Sequence, residues 1–194
     1  MVKLDSEFCA VDWHDRVAIL RLVSHDGTNR LSMACVRAVS EAVTLLAAQK
    51  ATRLIVTGNE HFFSAGADLH EIAALAGAAA VDFALLGQRL MSAIANFPAP
   101  TIAAVNGYCM GGGLDLALAC SLRIAGPHAM FGHRGAALGL ITGWGGTQRL
   151  PRVVGKSRAL EIFVTAEKLN AKRALSFGLV EAIVQDPLGA AISR

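Results

Sequence analysis

Two short segments of the sequence combine small residues with an acidic residue in a pattern that suits carbonyl chemistry. The first, SAGADL, spans residues 64–69, and the second, GGGLDL, spans residues 111–116. Glycine and alanine leave backbone N–H groups approachable because no large side chain covers them. One N–H from each segment, pointed at a single carbonyl oxygen, would form an oxyanion hole. We therefore predict that the N–H of Ala67 and an N–H of the glycine run face the same oxygen.

The sequence places both segments where a helix begins. Asp68 reads as a helix N-cap with Glu71 three residues later, which is the capping-box pattern. The glycine run follows an apolar strand, so its N–H groups include the unpaired donors of a helix start. With Gly112 as N-cap, Asp115 is the third helical residue, where an acid contributes about 0.3–1 kcal/mol to helix stability. Spacing alone favours this structural role of Asp115 over a chemical one.

The elements that must hold these segments alternate between strands and helices. Alternating polarity on both sides of residues 14–15 predicts a hairpin over residues 7–23. Helical spacing follows, with Ser32 as N-cap. The remaining segments are predicted strands at TRLIVTGN, PAPTIAAVNG, LRIAG, AMFG and LVEAIV, and predicted helices at 69–78, 80–97, from the glycine run to about residue 120, and in the segments GWGGTQRLPRVVG, SRALEIFVTA and NAKRALSFG. This alternation indicates an α/β fold.

Composition restricts the function classes. The 194 residues are 54% hydrophobic, with a net charge of +3, which predicts one globular domain over residues 1–194. Basic and aromatic residues do not interleave, so no nucleic-acid partner is predicted. The sequence shows neither an apolar run of about 18 residues nor a secretory leader, and its four cysteines have no CxxC spacing. We therefore expect a cytoplasmic protein without a membrane span. Dinucleotide, P-loop and zinc motifs all fail at key positions, and no metal site is predicted.

The two small-residue segments, in this order and spacing, resemble the enoyl-CoA hydratase/isomerase (crotonase) family. The similar segments are FFSAGADLHEI, IAAVNGYCMGGGLDLALACSLRIA, GLITGWGGTQRLPRVVGKSRALE and NAKRALSFGLVEAIV. The resemblance implies a crotonase-like spiral of repeated β-β-α units whose C-terminal helical part is missing here, since the sequence ends as a further helix starts. It also implies acyl-CoA thioester substrates, no separate cofactor, and a homotrimer or dimer of trimers.

The resemblance also assigns roles to individual residues. It implies that the N–H groups of Ala67 and Gly112 hold the thioester oxygen and that Asp115 is the first catalytic acid. It places coenzyme A along Asn29, Arg30, Ala65, Gly66, Asp68 and Leu69.

Several positions depart from the family pattern. The second catalytic glutamate of its hydratases falls on Gly135, and the acid that some isomerases use falls on Thr142 and Gly143. His133 is the nearest group able to exchange protons, and we expect it at the surface or an interface. The resemblance implies a lyase or isomerase that stabilises a thioester enolate, with enoyl-CoA hydratase the preferred assignment. A catalytically reduced acyl-CoA-binding protein, or a thioester hydrolase or decarboxylase, stays open as an alternative.

Overall fold

A computed structural model describes residues 4–194, and its largest sheet has seven strands. In spatial order they are β1 (Leu4–Asp5), β2 (Cys9–His14), β3 (Val17–Leu22), β5 (Arg53–Thr57), β8 (Thr101–Val105), β10 (Leu122–Ala125) and β13 (Ala182–Ile183). The first three strands pair antiparallel and the others parallel. The antiparallel pair β2–β3 is the hairpin predicted over residues 7–23.

A second sheet of four short strands lies beside the first. Its order is β12 (Leu169–Asn170), β11 (Met130–Gly132), β9 (Tyr108–Met110) and β6 (Phe62–Ser64), and a separate parallel pair joins β4 (Arg30–Leu31) to β7 (Gly66–Ala67). Three times the chain passes from the large sheet to the small one and then into a helical segment: β5 to β6, β8 to β9, and β10 to β11. This repetition confirms the predicted spiral of β-β-α units and the α/β class.

The helices cover the large sheet unequally on its two faces. They are α1 (Met33–Ala48), α2 (Leu69–Ala74), α3 (Ala78–Ala95), α4 (Gly112–Ala119), α5 (Gly146–Val154), α6 (Lys156–Thr165), α7 (Ala171–Ser176) and α8 (Pro187–Ile192). Most buried apolar side chains of the helices belong to one large cluster, which includes α1, α3 and α4. A smaller cluster, built on Ile19, Ile55 and Ile102, packs under α8. Helix α8 is the segment in which the sequence indicated that a further helix starts.

Helix α1 illustrates how local sequence fixes an element of this fold. The Ser32 side chain accepts a hydrogen bond from the Cys35 N–H at 3.1 Å, as predicted for an N-cap. The apolar residues recur at helical spacing, so Val36, Val39 and Val43 are all buried against the sheet.

Helix α3 corrects one expectation from the sequence. We expected no apolar run of membrane-spanning length, but its 18 residues reach a mean hydropathy of 1.3, which by length and composition alone is enough to cross a membrane. A single such helix is weak support for a span, because helices that pack on a protein core pass the same test. Here the buried face of α3 carries Phe83, Gly87, Leu90, Met91 and Ile94.

Candidate active site

Three parallel strands of the small sheet end side by side at one edge, and each is followed by a segment that the sequence singled out. Strand β6 leads to residues 65–67, β9 leads to the glycine run, and β11 leads to His133. The register pairs Gly132 with Met110, and the Gly111 N–H donates to the Gly132 carbonyl at 2.9 Å. Ligands of parallel sheets bind at the carboxyl ends of the strands, so this edge is the candidate active site.

The backbone N–H groups of Ala67 and Gly112 lie next to each other at this edge. A Cβ built on Gly66 would lie 3.2 Å from the Gly112 nitrogen, and one built on Gly112 would lie 3.3 Å from the Ala67 nitrogen. Gly66 has a φ of +97°, and the same added Cβ would lie 2.7 Å from the Met110 carbonyl oxygen. Only glycine therefore permits this close approach of the two segments.

Helix α4 begins one residue earlier than predicted. Gly111, with a φ of +50°, is the N-cap, so Gly112 is the first helical residue and Asp115 the fourth. The Gly112 N–H is thus among the donors that lack an acceptor within the helix, at the end where the helix dipole is positive. Asp115 remains in the first turn of α4, and its side chain also makes tertiary contacts.

Asp115 is buried, with 1% of its surface exposed, and its two carboxylate oxygens have different neighbours. Oδ2 accepts a short hydrogen bond from the Thr142 hydroxyl. Oδ1 lies 3.3 Å from Nε2 of His133, but the two atoms lack hydrogen-bond geometry, and neither has a partner among the described residues. Gly146 covers the pair so closely that an added Cβ would collide with Oδ1 and lie 3.0 Å from Nε2.

The structure corrects the expected location of His133. The side chain is not at the surface: the residue is 4% exposed, and its ring lies 5.1 Å from that of Phe163, centroid to centroid. The sequence signal that could have placed it is its position directly after β11, which matches the position of Gly111 directly after β9. Parallel pairing of these two strands brings the imidazole to the start of α4.

Gly135, at the expected position of a second carboxylate, lies in a 3-10 turn over Gly135–Leu138. Its Cβ would lie 2.6 Å from the Leu140 carbonyl oxygen, so this turn leaves no room for a side chain. The family pattern predicts a second acid beside Asp115. Position 135 does not supply it, and the side chain that lies beside Asp115 is the imidazole of His133.

Trp144 is a buried residue of the site that the sequence did not single out. Its ring packs 5.1 Å from that of Phe83, and its Nε1–H donates to the Phe83 carbonyl at 3.3 Å. A Cβ on Gly112 would lie 2.7 Å from this ring, and a Cβ on Gly87 of α3 would collide with it. The indole thus forms a wall of the site beside the Gly112 N–H.

Comparison with known proteins decides the family. The model of the "Enoyl-CoA hydratase/isomerase" family matches residues 13–188. The chain belongs to the enoyl-CoA hydratase/isomerase family. A crotonyl-CoA hydratase of Syntrophomonas wolfei is 39% identical over 88% of this chain and 66% of its own, and a probable enoyl-CoA hydratase of Bacillus subtilis is 47% identical over 69% and 52%.

A solved structure supports the fold as well. DspI of Pseudomonas aeruginosa superposes with a TM-score of 0.92 at 36% identity, covering 97% of this chain and 79% of its own. The chain spans about half to two thirds of the length of the curated relatives that it matches.

Two residues that the family resemblance assigns to coenzyme A lie at the start of β4: Asn29 precedes the strand and Arg30 is its first residue. Asn29 is buried, and its amide donates to the Phe62 carbonyl at 3.0 Å, so it ties the start of β4 to β6. Arg30 is partly exposed and pairs with Asp26 at 2.9 Å. Hydrogen bonds from Thr28 lower the pKa of Asp26 to about 2, so the carboxylate facing Arg30 is ionised at neutral pH. Coenzyme A binding by either residue stays a prediction.

The other residues assigned to coenzyme A surround β7. Asp68 caps α2, as predicted, by accepting from the N–H groups of His70 and Glu71. The capping box is only half formed, because Glu71 accepts from the Met33 N–H at 2.7 Å and so joins α2 to the start of α1. Ala65 precedes β7, Gly66 is the first residue of that strand, and Leu69 is half exposed.

A surface hollow of about 230 Å³ adjoins Ala65. Phe62, Tyr108 and Met110 line it together with two cationic side chains, Arg134 and Lys168, and the ammonium of Lys168 lies 5.1 Å from the centre of the Tyr108 ring. Cationic side chains beside an aromatic ring are a suitable surface for a nucleotide that carries phosphates.

Proposed function

We propose that this protein adds water to the double bond of an enoyl-CoA thioester. The observation that carries the proposal is the adjacency of the Ala67 and Gly112 N–H groups, with the buried acid Asp115 one helical turn from Gly112. Hydration makes negative charge on the thioester oxygen as the enolate forms. Two fixed N–H donors stabilise that charge more than they stabilise the neutral carbonyl.

The reaction also requires proton transfer, and Asp115 is the acid or base we assign to it. Water loses a proton as its oxygen bonds to the β carbon, and the α carbon gains one as the enolate collapses. Crotonyl-CoA is the test substrate because a relative 39% identical to this chain is named a crotonyl-CoA hydratase. The cationic hollow beside Ala65 supports binding of the coenzyme A phosphates.

We also propose that the protein acts in the cytoplasm as a homotrimer or dimer of trimers. Large exposed apolar side chains on one face of α6 and in the loop before α5 support self-association, among them Leu160, Val164 and Ile141. Light scattering on the purified chain tests the oligomeric state.

The central test follows the hydration of crotonyl-CoA by loss of its conjugated absorbance and by detection of the 3-hydroxyacyl product. Asp115→Asn keeps the size of the side chain but removes proton transfer, so the rate should fall by about 10²–10⁴-fold. Asp82→Asn, on the exposed side of α3, is the matched control and should leave the rate unchanged.

Two results would contradict the proposal. The first is full activity of Asp115→Asn. The second is tight binding of crotonyl-CoA by the unaltered protein with no product, which would support the alternative of an acyl-CoA-binding protein. Release of free coenzyme A, measured with a thiol reagent, would instead indicate a thioester hydrolase.

A further inference from the structure

We propose that His133 is the second acid/base group of the site and that it shares the reacting proton with Asp115. This inference rests on the proposed hydration. The reason to look for a second group is Gly135, which supplies no carboxylate at the expected position. The reason to choose His133 is that its Nε2 lies 3.3 Å from Oδ1 of Asp115.

Both side chains of the pair are buried, so the polar atoms that lack hydrogen bonds cannot be satisfied by bulk solvent. Asp115 and His133 are 1% and 4% exposed, and neither Oδ1 nor Nε2 has a hydrogen-bond partner among the described residues. Buried polar atoms without partners are costly, and native proteins retain few of them. A proton held between Oδ1 and Nε2 would satisfy both atoms at once, and the attacking water of a hydration supplies such a proton.

The neighbouring residues leave Oδ1 of Asp115 and Nε2 of His133 available to share a proton. The hydroxyl of Thr142 occupies Oδ2, which leaves Oδ1 as the free oxygen of Asp115. Gly146 closes one side of the pair, and the ring of Phe163 packs against the imidazole. Within this environment Asp115 is the charged group at ion-pair distance from His133. The two side chains therefore form one coupled proton-transfer unit.

The step balances without a further reactant. The water oxygen bonds to the β carbon and its proton moves to the Asp115–His133 pair. The electron pair of the double bond moves to the thioester oxygen, which the N–H groups of Ala67 and Gly112 hold. The enolate then returns this electron pair, and the α carbon takes a proton from the pair. One proton enters the unit and one leaves it, so the product is the 3-hydroxyacyl thioester and the enzyme is regenerated.

The experiment compares crotonyl-CoA hydration by the unaltered protein and by Asp115→Asn, His133→Gln and the double variant. We expect His133→Gln to lower kcat by at least about 10²-fold with little change in KM. The double variant should be no slower than the slower single variant, because residues that act as one unit are not additive. His14→Gln, at the exposed end of β2, is the control and should behave like the unaltered protein.

The pH profile separates a chemical role from a structural one. If His133 exchanges the reacting proton, the pH profile of kcat/KM should change shape in His133→Gln, whereas a purely structural role would lower the rate without changing that shape. Thermal unfolding checks that His133→Gln is folded, and His133→Asn serves as a second variant if it is not.

Each outcome decides between the two proposals. If the unaltered protein hydrates crotonyl-CoA and Asp115→Asn does not, but folded His133→Gln keeps the rate and the pH profile of the unaltered protein, the role of His133 is overturned and the proposed function stands. If the unaltered protein produces no 3-hydroxyacyl product, the proposed function fails and this inference fails with it.

Discussion

Asp115 shows how a site can be specified by the surroundings of one side chain. One oxygen is fixed by the Thr142 hydroxyl, and the other faces the imidazole of His133 without a hydrogen bond. A carboxylate with both oxygens saturated would serve as a structural anchor. A carboxylate with one oxygen held and one open is oriented and still able to take a proton.

The hydroxyl of Thr142 supports the buried carboxylate of Asp115. Thr142→Val keeps the shape of the side chain but leaves Oδ2 of Asp115 without a donor in a buried place. We expect the free energy of unfolding to fall by about 1–3 kcal/mol, as measured by urea titration. The control is Thr44→Val, which removes an exposed hydroxyl that donates to the Ser40 carbonyl of α1 at 2.9 Å. Equal losses in the two variants would show that the Thr142 hydroxyl does not support Asp115.

The residues of the site differ in how far the sequence could predict them. The local sequence predicts that Ala67 and the glycine run face one oxygen, because small residues stand at two helix starts, whereas the catalytic roles of Gly112 and Asp115 come from the family resemblance and stay predictions. The sequence did not place His133 beside Asp115, because its position directly after a short strand does not by itself indicate burial. Its neighbour Asp115 comes from a different repeat of the fold, and only the parallel pairing of β9 with β11 joins the two.

At the scale of elements, helices α3 and α4 are held together through Trp144. The indole lies between Gly87 in the middle of α3 and Gly112 at the start of α4. A tryptophan ring can occupy this position only where both helices present glycine. The distance between the two helices is thereby coupled to the geometry of the Gly112 N–H.

Gly87→Ala tests this packing, because the substitution has two opposite effects on the stability of the protein. Alanine within a helix gains about 1 kcal/mol over glycine in propensity, whereas overpacking a buried ring costs about 1–3 kcal/mol. The added Cβ collides with the rigid five-membered ring of Trp144, so we expect net destabilisation in thermal unfolding. In a Trp144→Phe background the same change should be neutral or stabilising. Destabilisation of the same size in both backgrounds would contradict the assigned contact.

The elements also show which parts of the fold follow from local sequence. The hairpin and α1 carry clear periodicity, the buried strands β5 and β8 contain continuous apolar runs, and the structure confirms all of them. The short strands β6, β7 and β9 have two or three residues each, too few for any periodicity to appear. These are the strands that position the site, so its arrangement depends on tertiary pairing more than on propensity.

At the scale of the whole molecule, the four cysteine thiols show the effect of burial in the core on ionisable groups. All four cysteines are free and buried. Burial raises the pKa of Cys35 and of Cys120 to about 12, and it raises the pKa of Cys109 well above its ordinary value near 9. The native protein therefore keeps these thiols protonated under conditions in which the unfolded chain begins to lose the protons.

This difference predicts that the protein loses stability at alkaline pH. Below about pH 9 both states hold the thiol protons, so the cysteines contribute no pH dependence. Between about pH 9 and 12 the unfolded chain releases them and the folded protein does not, so each such thiol lowers the free energy of unfolding by about 1.4 kcal/mol per pH unit.

Cys35→Ala removes one of these groups, and its cavity cost does not depend on pH. The stability difference between the unaltered protein and Cys35→Ala, measured by urea titration, should be constant from pH 7 to 8.5 and shrink steadily above pH 9. A difference that stays constant up to pH 10.5 would show that the Cys35 thiol is not protected by the folded core.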